Sequence, residues 1–196
     1  MPYTAVPAAD TSQAQRILDV AERLVQTRGF NGFSYADIAE ALKVTKASLH
    51  YHFPGKADLG KRLIERYEQN FLDALAKIDQ QGRDARDRLR RYVAIYTGVV
   101  KQDRMCLCGM LAAEFGTLPE PMRADLRHFF DENERWLVTV LRQGKKDKSV
   151  KFAGTPAEVA QALVGSLEGA MMISRSYADP ARFRSIAEKL LADLGA

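Results

Sequence analysis

Between residues 42 and 57 stand Lys43, Lys46 and Lys56 and no acid, in the stretch LKVTKASLHYHFPGK followed by Ala57. The whole chain carries 29 basic and 25 acidic residues, a net charge of +4, so a polyanion would have to be met by such a local patch and not by the surface at large. On a helix, Lys46 and His50 form an i, i+4 polar pair, while Leu49 and Phe53 form an i, i+4 apolar pair on another face. A lysine can bond the acceptor atoms of guanine, and a histidine or tyrosine can donate to a base edge or a phosphate. Lys56 follows the helix-stopping pair Pro54-Gly55 and precedes a further helix, so its ammonium can meet a phosphate beside that helix's N-terminal dipole.

Other groups offer less. His50 and His52, two residues apart, point about 200° apart on a helix and are not expected to share a metal. Asp125, His128 and Glu132 share a face at a spacing that could bind one, but a single such face without a partner motif is ordinarily solvated. No metal and no cofactor are expected. Cys106 and Cys108 are too few for a zinc cluster and no framework for a secreted disulfide fold. Lys101 and Arg104 lie near them in sequence and could lower a thiol's pKa. An electrophile or oxidant sensor is therefore open, beside the plainer reading of two small buried residues at a helix start. An enzyme built on a helical bundle is a further alternative, but the chain has no nucleophile elbow, glycine-rich phosphate loop or H-E-x-x-H.

The elements that must position these groups are helices. Apolar residues recur at three- and four-residue steps nearly throughout, and no long stretch alternates apolar with polar; the class is all-α. A first helix over residues 12–27 turns Ile17, Leu18, Ala21, Leu24 and Val25 inward and Asp19, Glu22, Arg23 and Gln26 outward, and Gly29 ends it. Phe30 and Phe33 flank Asn31-Gly32 and tuck an aromatic under a short helix over 35–41, whose start at Ser34 with Asp37 is a capping box. Thr45 caps a third helix that runs through Phe53. Longer helices follow over 58–80, 84–102 and 120–143, with a shorter one over 106–115 between the last two, and a polar basic loop covers 144–154. Thr155-Pro156 with Glu158, then Asp179-Pro180, open the last two, over 156–177 and 181–194. Nine helices result, after a flexible segment over 1–11. At 196 residues with 46% hydrophobic residues, the chain can bury a substantial core. The start MPYTAVPAADTSQ lacks a basic region followed by an apolar run, and no segment has about 18 continuous apolar residues. A cytoplasmic protein with no membrane partner is expected.

Two short helices joined by a tight turn are the outline of a helix-turn-helix, though many nonbinding helical domains share it. The residues FSYADIAEALKVTKASLHYHFPGKADL closely resemble the TetR family of transcriptional regulators, whose recognition helix typically reads T-K-G-x-L-Y-x-H-F before a K-x-x-L segment. The likeness covers residues 12–66. It implies a nine-helix architecture with a three-helix DNA-binding domain over 12–57 and a larger helical domain for effector binding and dimerisation over 58–196. It implies that Lys46, Ala47, His50 and Tyr51 lie on the groove face, and that Ser34, Tyr35, Thr45, His52 and Lys56 contact phosphates or the groove edge. Leu49 and Phe53 would be core. Ala47 stands where the family often has glycine, and His50 where it most often has tyrosine.

The resemblance further implies a homodimeric, ligand-responsive repressor of transcription, binding a near-palindromic operator in double-stranded DNA and released by a small effector. Leu163, Val164, Leu167 and Met171, beside the small residues Ala160, Ala162, Gly165, Gly169 and Ala170, are candidates for the dimer interface. Phe71, Tyr92, Tyr96, Met105, Cys106, Met110, Phe115, Phe129, Trp136 and Met172 are candidates for a cavity suited to an apolar or aromatic effector.

Overall fold

A computed structural model describes residues 8–195, with side chains from residue 13 onward. The described residues form nine α-helices and no strand: α1 (Ala8–Arg28), α2 (Tyr35–Leu42), α3 (Lys46–His52), α4 (Lys56–Gln81), α5 (Ala85–Val100), α6 (Leu107–Ala113), α7 (Glu120–Asp147), α8 (Pro156–Ser176) and α9 (Pro180–Asp193). A single 3-10 turn, Phe115–Thr117, links α6 to α7. Helix α1 starts at Ala8, inside the segment expected to be flexible; residues 1–7 of that segment lie outside the described residues.

Local chemistry accounts for the boundaries. Ser34 Oγ accepts the Ala36 N–H at 3.2 Å and the Asp37 carboxylate accepts the Ser34 N–H at 2.8 Å, the reciprocal box that opens α2. Lys43, at φ 54°, closes α2 in the left-handed conformation and turns the chain toward α3. Thr155 and Glu158 repeat the box at α8, and Asp179 caps α9 through the Ala181 N–H. Helix α7 runs four residues past Gln143, through the start of the expected basic loop. Gly144 lets it do so: a Cβ there would stand 2.4 Å from Ala85 Cβ and 2.6 Å from Val150 Cγ2. Lys145 and Lys146 then sit favourably at the helix's negative end.

The apolar faces of α1 to α4 pack on one another, and Ile17, Val25, Ile38, Leu49 and Leu59 there have no exposed surface. Burying each such side chain contributes about 1.5–3 kcal/mol. Beyond them α7 and α8 pack together and α9 closes on α8. Leu163, Val164, Leu167 and Met171, expected at a subunit interface, turn into this core and are exposed by 5% or less. The outward strip of α8 is instead Ala162, Gly165, Met172 and Ile173, with exposed Tyr177 just past its end.

Candidate nucleic-acid interface

Thr45 opens α3 by accepting the Ser48 N–H at 3.3 Å. Leu49 and Phe53 are buried at 0% and 6% exposure, which fixes the rotation of the short helix about its axis. That rotation leaves Lys46, Ala47, His50 and Tyr51 together on the outside, with Tyr51 74% exposed. The face offers an ammonium, a methyl, an imidazole and a phenol to whatever lies against it, a set able to touch guanine acceptors, thymine methyls and phosphates.

His50 is oriented from behind. Its Nδ1 lies 3.1 Å from the Pro54 carbonyl and its ring 4.8 Å from that of Tyr35. A carbonyl only accepts, so Nδ1 carries the hydrogen and Nε2 of the neutral ring is an acceptor. Tyr35, expected at a phosphate, has its ring buried and its hydroxyl donating to the Phe53 carbonyl at 2.8 Å. Burial, with Asp58 adding to it, pushes that phenol up to about 12. Tyr35 thus braces His50 and the end of α3 from inside. Ser34 and Thr45 are exposed and serve as helix caps, and half-buried His52 has its ring 5.2 Å from that of Tyr51.

Lys56, also expected at a phosphate, turns inward. Its Nζ donates to the carbonyls of Phe30 and Phe33 and lies 4.7 and 4.2 Å from their ring centroids. Burial lowers its pKa, with Glu114 and Asp37 opposing the shift. The ammonium satisfies two loop carbonyls between α1 and α2, so the residue ties that loop to the start of α4.

Further ties escaped the sequence reading because they span long separations. Glu114, at the end of α6, accepts the Phe30 N–H at 2.6 Å and the Asn31 N–H at 3.2 Å, and Asn31 donates to Thr117 Oγ1 at 2.8 Å. Gly29 makes room for that carboxylate: its φ is +83° and a Cβ would stand 2.7 Å from Glu114 Oε1. At the other side of α1, Arg175 of α8 donates to the carbonyls of Gln26, at 3.0 Å, and Thr27. The Gln26 carbonyl also accepts the Met105 N–H at 3.1 Å. Gln26 itself, expected outward, is 3% exposed.

The expected effector residues divide. Of them only Phe71 lines a cavity of about 240 Å³ between α1, α4 and α5, beside Tyr67, which the sequence did not single out. Tyr92 donates to Asn133 Oδ1 at 2.8 Å, the Asn133 amide donates to Tyr96 at 3.2 Å, and the two phenols lie 3.0 Å apart, a closed buried ring of hydrogen bonds. Phe129 packs on Phe71 at 5.2 Å, Trp136 stacks on Tyr92 at 5.6 Å, and Met105 is buried; none of these lines that cavity. Half-buried Met110 does not line it either, Phe115 lies under the guanidinium groups of Arg123 and Arg127, and Met172 is 47% exposed on the outer strip of α8.

Cys106 caps α6, its sulfur accepting the Gly109 N–H at 3.5 Å, and Cys108 is fully buried. Burial, then the neighbouring Glu168, pushes the Cys106 thiol well up; burial and Cys106 do the same to Cys108. This opposes an activation by Lys101 and Arg104 and agrees with the plainer reading of two small buried residues at a helix start. Among the described residues no three His, Cys, Asp or Glu side chains are disposed to hold a metal ion, and no helix is long and apolar enough to cross a membrane.

Residues 17–63 match the family model described as bacterial regulatory proteins, tetR family, and residues 85–190 match one described as tetracyclin repressor-like, C-terminal domain. Among curated proteins, the HTH-type transcriptional repressor NemR of Escherichia coli is 28% identical over 83% of this chain and 85% of its own length. The transcriptional regulator AcuR of Cereibacter sphaeroides is 30% identical over 84% of this chain and 78% of its own. The crystal structure of a TetR-family transcriptional regulator from Agrobacterium tumefaciens superimposes with a TM-score of 0.91 at 32% identity, covering 94% of this chain and 98% of that one.

Proposed function

Because the chain belongs to the TetR family and is a DNA-binding regulator rather than an enzyme, we propose that it is a homodimeric repressor, released from a near-palindromic operator by a small-molecule effector. The observation that carries this reading is the outer face of α3, where Lys46, Ala47, His50 and Tyr51 are exposed together over a fully buried Leu49. Such a helix fits a major groove, with bases read by its outer side chains and Ser34 and Thr45 at the groove edge. With His50 Nδ1 turned to the Pro54 carbonyl, Nε2 is the ring atom left to face a base edge or a phosphate. The NemR relative, named a repressor, supports the sign of regulation.

Two readers must be held about one helical turn of DNA apart, about 34 Å, to meet two half-sites. The outer strip of α8 supports a second copy as the means. Met172 and Ile173 are 47% and 49% exposed, and open space lies over Gly165 and Gly169, so two such helices could approach closely. Sensing would fall to the remainder of the chain, residues 58–196 by the sequence reading, joined to the reader through Glu114 and Arg175.

Lys46→Ala and Tyr51→Ala should each lose about 1–3 kcal/mol of specific affinity while leaving the dimer intact. Gel-shift titration on DNA fragments selected by the wild-type protein, beside sizing chromatography, measures both. Unchanged affinity in the two variants would remove α3 from the interface.

A further inference from the structure

The cavity between α1, α4 and α5 holds two polar groups without partners. Arg104 lines it half-buried, and among the described residues its guanidinium has neither an ion pair nor a hydrogen bond. Gln26 lines it at 3% exposure, and its Oε1 is buried without a donor. Glu22, the acid on this wall, is held by Arg66 at 2.6 Å and does not compensate Arg104. Phe71, Ile95 and Val99 supply the apolar part of the lining. Glu168, another buried acid of this region, does not line the cavity.

An unopposed guanidinium is a fork for a carboxylate, and it gains most where water is partly excluded. A buried amide oxygen lacking a donor is satisfied by an occupant that brings one. We propose that this cavity takes a small monocarboxylic acid bearing a hydroxyl: carboxylate on Arg104, hydroxyl donating to Gln26 Oε1, apolar body against Phe71, Ile95 and Val99. The proposal rests on the reading of the chain as an effector-released DNA binder and names the class of effector. It differs from a purely greasy ligand, and from a sensor confined to the C-terminal domain, because Glu22 and Gln26 belong to α1. The Gln26 carbonyl is gripped by Arg175 and by the Met105 N–H, so an occupant pulling on the Gln26 side chain acts on the reader's own first helix at the point where the sensor holds it.

The test uses the full chain and three para-substituted phenols: para-hydroxybenzoate and its near-isostere para-hydroxybenzamide, which present an anion and a neutral amide, and tyramine, which presents a cation. Calorimetric titration should find the acid bound roughly tenfold or more tighter than the other two. Arg104→Gln should abolish that preference, and Arg104→Lys should keep part of it. Gln26→Met should weaken para-hydroxybenzoate and spare benzoate. Circular dichroism verifies that each variant folds. Equal binding of acid and amide, undiminished binding to Arg104→Gln, or no binding of the acid to the wild type would overturn the site. Fluorescence anisotropy on selected DNA separates this from the broader reading. Arg104-dependent binding that leaves DNA affinity unchanged keeps the site and sinks effector release, whereas a wild-type protein that binds no DNA sinks the regulator assignment and leaves the calorimetry standing.

Discussion

Glu114→Ala should loosen the joint between the α1–α2 loop and the end of α6, and its cost can be worked from two hydrogen bonds. The Phe30 N–H, partly buried at 2.6 Å from the carboxylate, loses a charge-assisted partner worth about 1.5–3 kcal/mol. The Asn31 N–H is exposed, so water replaces most of what it loses. The total is about 2–3 kcal/mol, which for a chain of 196 residues lowers Tm by roughly 5–10 °C. A double-mutant cycle with Gly29→Ala isolates the joint. In the wild type that substitution carries both backbone strain, at φ +83°, and a Cβ 2.7 Å from Glu114 Oε1. With Glu114 already removed, the contact disappears and only the strain is left. The two changes should therefore be non-additive by about 1 kcal/mol or more, the double variant being more stable than the sum of singles. Urea denaturation of the four proteins gives the cycle; strict additivity, or a Glu114→Ala protein melting within a degree of the wild type, would refute the joint.

Lys56→Met should lower Tm by stranding the Phe30 and Phe33 carbonyls, while the salt dependence of DNA binding keeps its slope; a slope reduced by about 0.9 would return the ammonium to a phosphate. Ile173→Asp should yield a folded monomer on sizing chromatography, whereas Leu167→Ala, in the subunit core, should cost about 2–5 kcal/mol of stability. Burial raises the Glu168 carboxyl to about 7 from 4.5. Between those values the folded state binds more protons than the unfolded, so its contribution to stability is lost as pH rises from about 4.5 through about 7. Melting scans at pH 5 and pH 8 should show that decline in the wild type and a smaller one in Glu168→Gln; identical declines would place the cause elsewhere.

What could be read from sequence was local. Caps announce themselves within three residues, so Ser34 with Asp37, Thr155 with Glu158, and Asp179 all stand where their helices begin. A clean apolar stripe likewise gave the inward face of α1, apart from Gln26. Helix α8 defeated the same method because it is apolar on several sides. Leu167 and Met172 are alike in chemistry, yet one is buried in the subunit and the other faces out, and only the positions of α7 and α9 decide which. Lys56 and Tyr35 carry groups that suit a phosphate, but each found a backbone carbonyl nearby first, Lys56 that of Phe33 and Tyr35 that of Phe53. Glu114 and Arg175 reach partners more than 80 residues away, a separation at which no local pattern signals contact.

These long-range ties bear on how a ligand could move a DNA reader at all. The α1–α2 loop is gripped by Glu114 and Lys56, the end of α1 by Arg175 and the Met105 N–H, and its middle by Arg66 on Asp19 and Glu22. A reader hung on a single flexible linker would leave half-site spacing to thermal motion, and an effector would have little to change. A reader clamped at several points adopts few orientations relative to its sensor, so a modest difference in effector affinity between two of them shifts the population usefully. Arg104 and Gln26 stand beside the Arg175 clamp. If their occupant favours the orientation that mismatches the grooves, linkage requires DNA to weaken the occupant by the same factor that the occupant weakens DNA. Titrating para-hydroxybenzoate with and without saturating DNA measures that reciprocity, and two unequal factors would mean that the acid acts through more than the one equilibrium.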